Sequence, residues 1–78
     1  MGCRIGMATD VAARIQQLVN DGTVPGGARY GILRSNLTYE EATGLEASER
    51  AICGPYCAGH AGGGFVPGRV WSVYRVDW

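Results

Sequence analysis

The stretch LTYEEA, residues 37–42, constrains the fold more than any other part of the chain because it marks the start of a helix. Thr38 and Glu41 have the spacing of a capping box, in which each side chain accepts a hydrogen bond from the other residue's backbone N–H. Leu37 and Ala42 occupy the positions of a hydrophobic staple across the same helix end. The pattern therefore predicts a helix over residues 38–52, in the middle of a chain of 78 residues.

A second helix is predicted near the N-terminus. Thr9 stands where an N-cap belongs, and Asp10 would follow in the first turn, where a negative charge is favourable. One apolar stripe at helical spacing comes next, formed by Val11, Ile15, Leu18 and Val19. Asn20 and Asp21 end the helix, with Gly22 as a left-handed cap.

Three further segments have the composition of strands. Residues 3–5 form a short strand that ends in a tight turn through Gly6, and RYGILR, residues 29–34, forms a second. Residues 69–78, RVWSVYRVDW, alternate between two faces and are rich in β-branched and aromatic side chains. The predicted order is β-α-β-α-loop-β, a single α+β domain (residues 1–78) with a small three-stranded sheet and two covering helices.

Composition limits the range of functions. Seven arginines, without any lysine, balance seven acidic residues, and a net charge of zero argues against strong non-specific binding to nucleic acid. There is no apolar run long enough to span a membrane, and no secretory signal pattern is apparent. The sequence therefore predicts a cytoplasmic protein whose cysteines are reduced or bound to metal.

The second helix carries two carboxylates on its apolar side. At 100° per residue, Glu46 and Glu49 fall on the same side as Ala42 and Leu45. Carboxylates are rarely buried without a partner, so two interpretations stay open. Either this stripe lies at the helix edge and both side chains reach water, or at least one of them points into a site.

These elements and residues resemble the GIY-YIG nuclease family. RIGMATDVAARI resembles its YIG segment, with Ile5-Gly6 at the strand end and Arg14 eight positions after Gly6. EATGLEASERAI resembles the family's metal-binding helix, with Leu45-Glu46 in place. Arg4 stands where the family has the tyrosine of YIG.

The family's first strand, which carries GIY and a tyrosine general base, has no counterpart ahead of Cys3. RVWSVYRV near the C-terminus resembles that strand, with Tyr74 in the position of the GIY tyrosine, as expected of a circularly permuted or truncated member. Chain termini often lie close together, so a strand can fill the same slot in a sheet from either end of the chain.

The resemblance implies a domain that binds nucleic acid and, if active, cleaves phosphodiesters as a metal-dependent endonuclease. Arg14 would contact the phosphate, Glu46 would bind Mg²⁺, and Tyr74 would accept the proton of the attacking water. The alternative is a non-enzymatic protein-interaction module on the same scaffold, stabilised by zinc. A homo-oligomer formed through the C-terminal strand, with Trp71, Tyr74 and Trp78 on an unpaired edge, is a third interpretation.

CGPYCAGH provides a compact set of metal ligands. Cys53, Cys57 and His60 have a Cys-x3-Cys-x2-His spacing, and Cys3 is available as a fourth ligand for a tetrahedral Zn²⁺ site. The spacing leaves two alternatives open, a disulfide (either Cys53–Cys57 or one that involves Cys3) and ordinary free thiols.

Overall fold

The computed structural model describes residues 2–53 and 65–78. Within these ranges the elements are β1 (Cys3–Ala8), α1 (Val11–Asn20), β2 (Arg29–Leu37), α2 (Tyr39–Cys53) and β3 (Trp71–Asp77). The predicted class, a three-stranded sheet with two helices in the order β-α-β-α-β, is confirmed.

The strand that comes last in the chain lies in the middle of the sheet. The strand order is β1-β3-β2, and β3 is antiparallel to both of its neighbours. The ladder between β1 and β3 extends one residue further, because Gly2 and Trp78 exchange backbone hydrogen bonds of 2.7 and 3.0 Å. Both hydrogen-bonding edges of β3 are therefore occupied.

The two helices cover opposite faces of the sheet. On β3, Tyr74 and Val76 belong to a buried cluster with Val11, Ile15 and Leu18 of α1. On the other face of the same strand, Trp71 and Val73 belong to a second cluster with Ala42 of α2. Successive side chains of a strand point to opposite faces, so the alternation predicted for this strand divides the core into two layers.

The first strand is longer than the sequence predicts. Gly6 lies inside β1, which continues to Ala8, so the predicted turn at Gly6 is wrong. The helix also starts one residue later than predicted. Asp10 rather than Thr9 is the N-cap of α1, and its carboxylate accepts a hydrogen bond from the Ala13 backbone N–H. Asp is at least as good an N-cap as Thr, so this shift carries no loss of capping.

The helix ends follow their local signals closely. The α1 helix gives way to Asp21 and to Gly22, whose φ of 79° is the predicted left-handed conformation. At the start of α2, the Thr38 backbone N–H donates to Glu41 Oε1 at 2.9 Å, and the Glu41 N–H donates to Thr38 Oγ1 at 3.2 Å. The predicted capping box is thus confirmed.

The edge strand β2 is irregular in its second half. Its pairing with β3 shifts register between Ile32 and Arg34 and again before Leu37, and Asn36 adopts a left-handed φ of 61°. A shift of this kind inserts an extra residue and bends the strand. The pairing of β2 with β3 is therefore regular only from Arg29 to Ile32.

Among the described residues, no helix has the length and apolar character required to cross a membrane.

Candidate functional site

Two of the three residues predicted for a nuclease site lie on the α1 side of the sheet. Tyr74 is 1% exposed, stands opposite Gly6 across the β1–β3 ladder, and packs into the α1 cluster. Arg14 is half-buried on α1, and its Nη1 donates to Gln17 Oε1 at 2.9 Å. The last strand lies beside the first in the sheet.

Glu46, the third residue, lies on the other side of the sheet. It is 4% exposed on α2, one turn after Ala42, which packs into the opposite cluster. Its Oε1 lies 3.8 Å from Arg50 Nη1. The expectation that Arg14, Tyr74 and Glu46 converge on one pocket is therefore wrong, because the sheet separates the faces that carry them.

The burial of Glu46 also decides between the two interpretations of the acidic stripe on α2. Glu46 is inside the protein, whereas Glu49 is half-buried. The expectation that both carboxylates reach water at the helix edge fails for Glu46. Its ion pair with Arg50 provides a partial compensation for the buried charge.

Two of the four predicted zinc ligands form a disulfide. Cys3 at the start of β1 is bonded to Cys53 at the end of α2, with their Cα atoms 6.4 Å apart. This pairing is the Cys3-linked alternative that the sequence left open. Cys57 and His60 lie outside the described residues, and within residues 2–53 and 65–78 no three His, Cys, Asp or Glu side chains are grouped so that they could hold a metal ion.

Arg4 is a buried charge, and the sequence did not indicate its burial. It is 9% exposed on the α1 side of β1, and its Nε has no hydrogen-bond partner among the residues that the structure describes. The pKa of Asp21 is lowered, chiefly by hydrogen bonds from Thr23 and to a lesser degree by the positive charges of Arg14 and Arg4. The alternation of β1 predicts the side of the sheet on which Arg4 lies, but not its burial.

The most exposed part of the sheet is β2. Eight of its nine residues are exposed, although β2 contains Tyr30, Ile32 and Leu33. Ile32 is 55% exposed and Tyr30 is 46% exposed. The reason is the position of the helices. The two buried clusters are built from β1, β3, the helices and Val24 of the α1–β2 connection, and Leu37 is the one buried member that β2 contributes.

The C-terminal strand cannot offer the open edge predicted for a homo-oligomer. It is the central strand, and Trp71 and Tyr74 are buried. Within the described residues, β1 and β2 are the two edge strands, and β2 is the one whose side chains are exposed. The sequence predicts β2 as a strand but does not indicate its exposure. Arg29 and Arg34 stand at the two ends of the predicted strand, residues 29–34. They were an available signal of an edge strand, since charged side chains are typical of edge strands.

No family model matches the chain, and neither the curated proteins nor the solved structures contain a significant match to it. The chain is thus an α+β domain whose edge strand β2 is exposed on both faces of the sheet.

Proposed function

We propose that this domain is a non-enzymatic protein-interaction module that binds its partner by strand addition to the edge of β2. The observation that carries the proposal is the exposure of β2 on both faces of the sheet, including Tyr30, Ile32 and Leu33. In strand addition, the unpaired backbone groups of a sheet edge supply affinity and the side-chain positions on either face supply specificity.

The packing of the core is compatible with an interface at β2. Most of the core is independent of β2, because α1 and α2 pack on β1 and β3, and Leu37 is the one buried residue that β2 contributes. A strand with an unpaired edge and exposed apolar residues can pair with a strand of another chain. A partner strand would cover apolar side chains that the domain itself leaves in water.

A peptide selection tests this proposal. We expect random peptides of about ten residues, roughly the upper length of a strand, to yield binders that shift NMR signals in residues 29–34. Ile32→Asn should weaken these binders about tenfold, which corresponds to about 1.4 kcal/mol. Ile52→Asn is the matched control, because Ile52 is also exposed but lies on α2, and it should leave binding within about twofold.

Binders that shift signals only on the helices, or a selection that yields none, would refute strand addition. Equal losses for Ile32→Asn and Ile52→Asn would do the same, because the effect would then not depend on β2.

A second proposal retains the nucleic-acid binding implied by the resemblance, without hydrolysis. Its support is that Arg14, which is partly exposed, and the buried Arg4 place two positive charges on the α1 side of the sheet, both near enough to Asp21 to lower its pKa. Metal-assisted cleavage has less support, since Glu46 lies across the sheet from this group.

Fluorescence anisotropy with labelled DNA and RNA oligonucleotides, at low and high salt and with Mg²⁺, tests this second proposal. Arg14→Gln should weaken binding, whereas Arg69→Gln, which removes a charge already paired with Glu41 at 2.7 Å, should not. Unchanged anisotropy with every oligonucleotide would eliminate it.

A further inference from the structure

The two faces of β2 differ in chemistry. Tyr30 and Ile32 stand opposite Val76 and Tyr74 of β3, so they lie on the α1 side of the sheet. Arg29 stands opposite Asp77, and after the register shift Arg34 stands opposite Val73, which places both arginines on the α2 side. The strand thus presents an apolar face and a basic face.

The basic face is not neutralised by the domain. Arg29 and Arg34 are exposed and form no ion pair with any residue that the structure describes. The acidic residue opposite Arg29 is Asp77, and its two carboxylate oxygens accept hydrogen bonds from Arg75 Nε at 3.0 and 3.1 Å. No acidic residue occurs in β2 itself.

There is space for an incoming acidic side chain beside these arginines. An open groove lies where the start of β2 meets the end of β3, and Arg29, Arg75, Asp77 and Trp78 are among the residues that line it. Gly31, on the same face as Arg29, has no atom within 4 Å of the position where a Cβ would lie. A carboxylate carried by a neighbouring strand could therefore approach Arg29 without a steric conflict.

These observations make a second copy of the chain a poor occupant. Antiparallel pairing of two β2 strands would bring four arginines to one seam without any carboxylate from either strand, and like charges on adjacent strands are destabilising. We propose, on the basis of the strand addition proposed above, that β2 binds an extended segment whose side chains alternate between apolar and acidic. The apolar side chains would lie with Tyr30 and Ile32, and the acidic ones with Arg29 and Arg34.

Three synthetic peptides test the inference on the full chain. The apolar residues are the same in all three peptides. The alternate positions hold Glu in the first peptide, Gln in the second and Lys in the third. NMR titration should give signal shifts in β2 and the tightest binding for the Glu peptide, with affinity about fivefold to tenfold above the Gln peptide, as expected for two exposed ion pairs. The Arg29→Gln/Arg34→Gln variant should remove this difference, and added salt should reduce it.

Other outcomes separate the two proposals. Equal binding of the three peptides at β2 would overturn the acidic preference and leave strand addition standing. If none of the peptides shifts β2 signals, and the selection described above yields no binder there, both proposals fall. A dimer in analytical ultracentrifugation that Ile32→Asn dissociates would identify a second copy as the occupant and overturn the inference.

Discussion

At the scale of single residues, the close approach between Gly6 and Tyr74 is a sensitive point of the fold. A Cβ built on Gly6 would lie 2.9 Å from Cε2 of Tyr74 and closer still to its hydroxyl oxygen. Tyr74 is one of the most deeply buried side chains, with cluster neighbours from α1, so its ring has little room to move. The absence of a side chain at position 6 is what lets the ring lie across β1.

We therefore expect Gly6→Ala to lower the free energy of unfolding by about 2 kcal/mol, the usual range for overpacking a core being about 1–3 kcal/mol. Urea denaturation followed by circular dichroism measures the change. Gly31→Ala is the matched control in a neighbouring strand, where a Cβ meets no atom within 4 Å and φ is not positive. A loss at position 6 no greater than at position 31 would contradict the packing described here.

At the scale of an element, the start of α2 depends on the charge of Glu41. The pKa of this carboxyl is lowered from its ordinary value of 4.5, first by the backbone hydrogen bond from Thr38 and further by the Thr38 hydroxyl and the charge of Arg69. A carboxyl whose pKa is lower in the folded state stabilises the fold above its unfolded-state pKa. That stabilisation is lost as pH falls through the lower, folded-state pKa.

The stability difference between the wild type and Glu41→Gln should consequently be largest near neutral pH and shrink below about pH 4.5, the ordinary pKa. Urea denaturation at a series of pH values measures this difference. Glu40→Gln, which removes a neighbouring first-turn carboxylate outside the capping box, separates the box from the general effect of charge at a helix start. A difference that grows as the solution becomes more acidic would show that the sign is wrong.

At the scale of the whole molecule, one covalent link joins the start of the chain to the end of α2. The Cys3–Cys53 disulfide spans a sequence separation of 50 residues and encloses β1, α1, β2 and α2. Such a link restricts the unfolded chain, and for a loop of this length the chain-entropy model gives about 4 kcal/mol, with typical measured effects of about 2–4 kcal/mol. A small domain with a two-layered core gains much of its stability from a link of this kind.

Cys53→Ser should lower the free energy of unfolding by about 2–4 kcal/mol. Cys57→Ser is the matched control, because it leaves the Cys3–Cys53 link intact and so should not produce this loss. Thiol titration in denaturant should find one free thiol before reduction and three after it, since the chain has three cysteines. Elemental analysis of protein purified without chelator tests the zinc prediction on the same sample. Three free thiols before reduction, or one zinc per chain that protects Cys3 and Cys53, would contradict the disulfide.

The packed core and the proposed binding strand are largely different parts of the molecule. The two helices pack on opposite faces of β1 and β3, while most of β2 is held by its ladder to β3 alone. Substitutions on the outward side chains of β2 should therefore change binding with little effect on folding. This separation is what makes the Ile32 and Arg29/Arg34 variants informative about partners.

The sequence by itself determined the features whose interactions join residues a few positions apart. The capping box at Thr38 and Glu41, the left-handed Gly22 and the two-face alternation of residues 71–77 are all as predicted. Each is fixed by local hydrogen bonds or by backbone sterics, which the local sequence specifies.

Only the tertiary structure decided how these elements are arranged in space. The central position of β3 set Tyr74 and Glu46 on opposite faces, covered Trp71, and left β2 as the exposed edge. Contacts between residues some 50 or more positions apart, such as Cys3 with Cys53 and Gly6 with Tyr74, determine this arrangement. Local propensity carries no information about such pairings, because their free energy comes from burial and packing that exist only once the chain has folded.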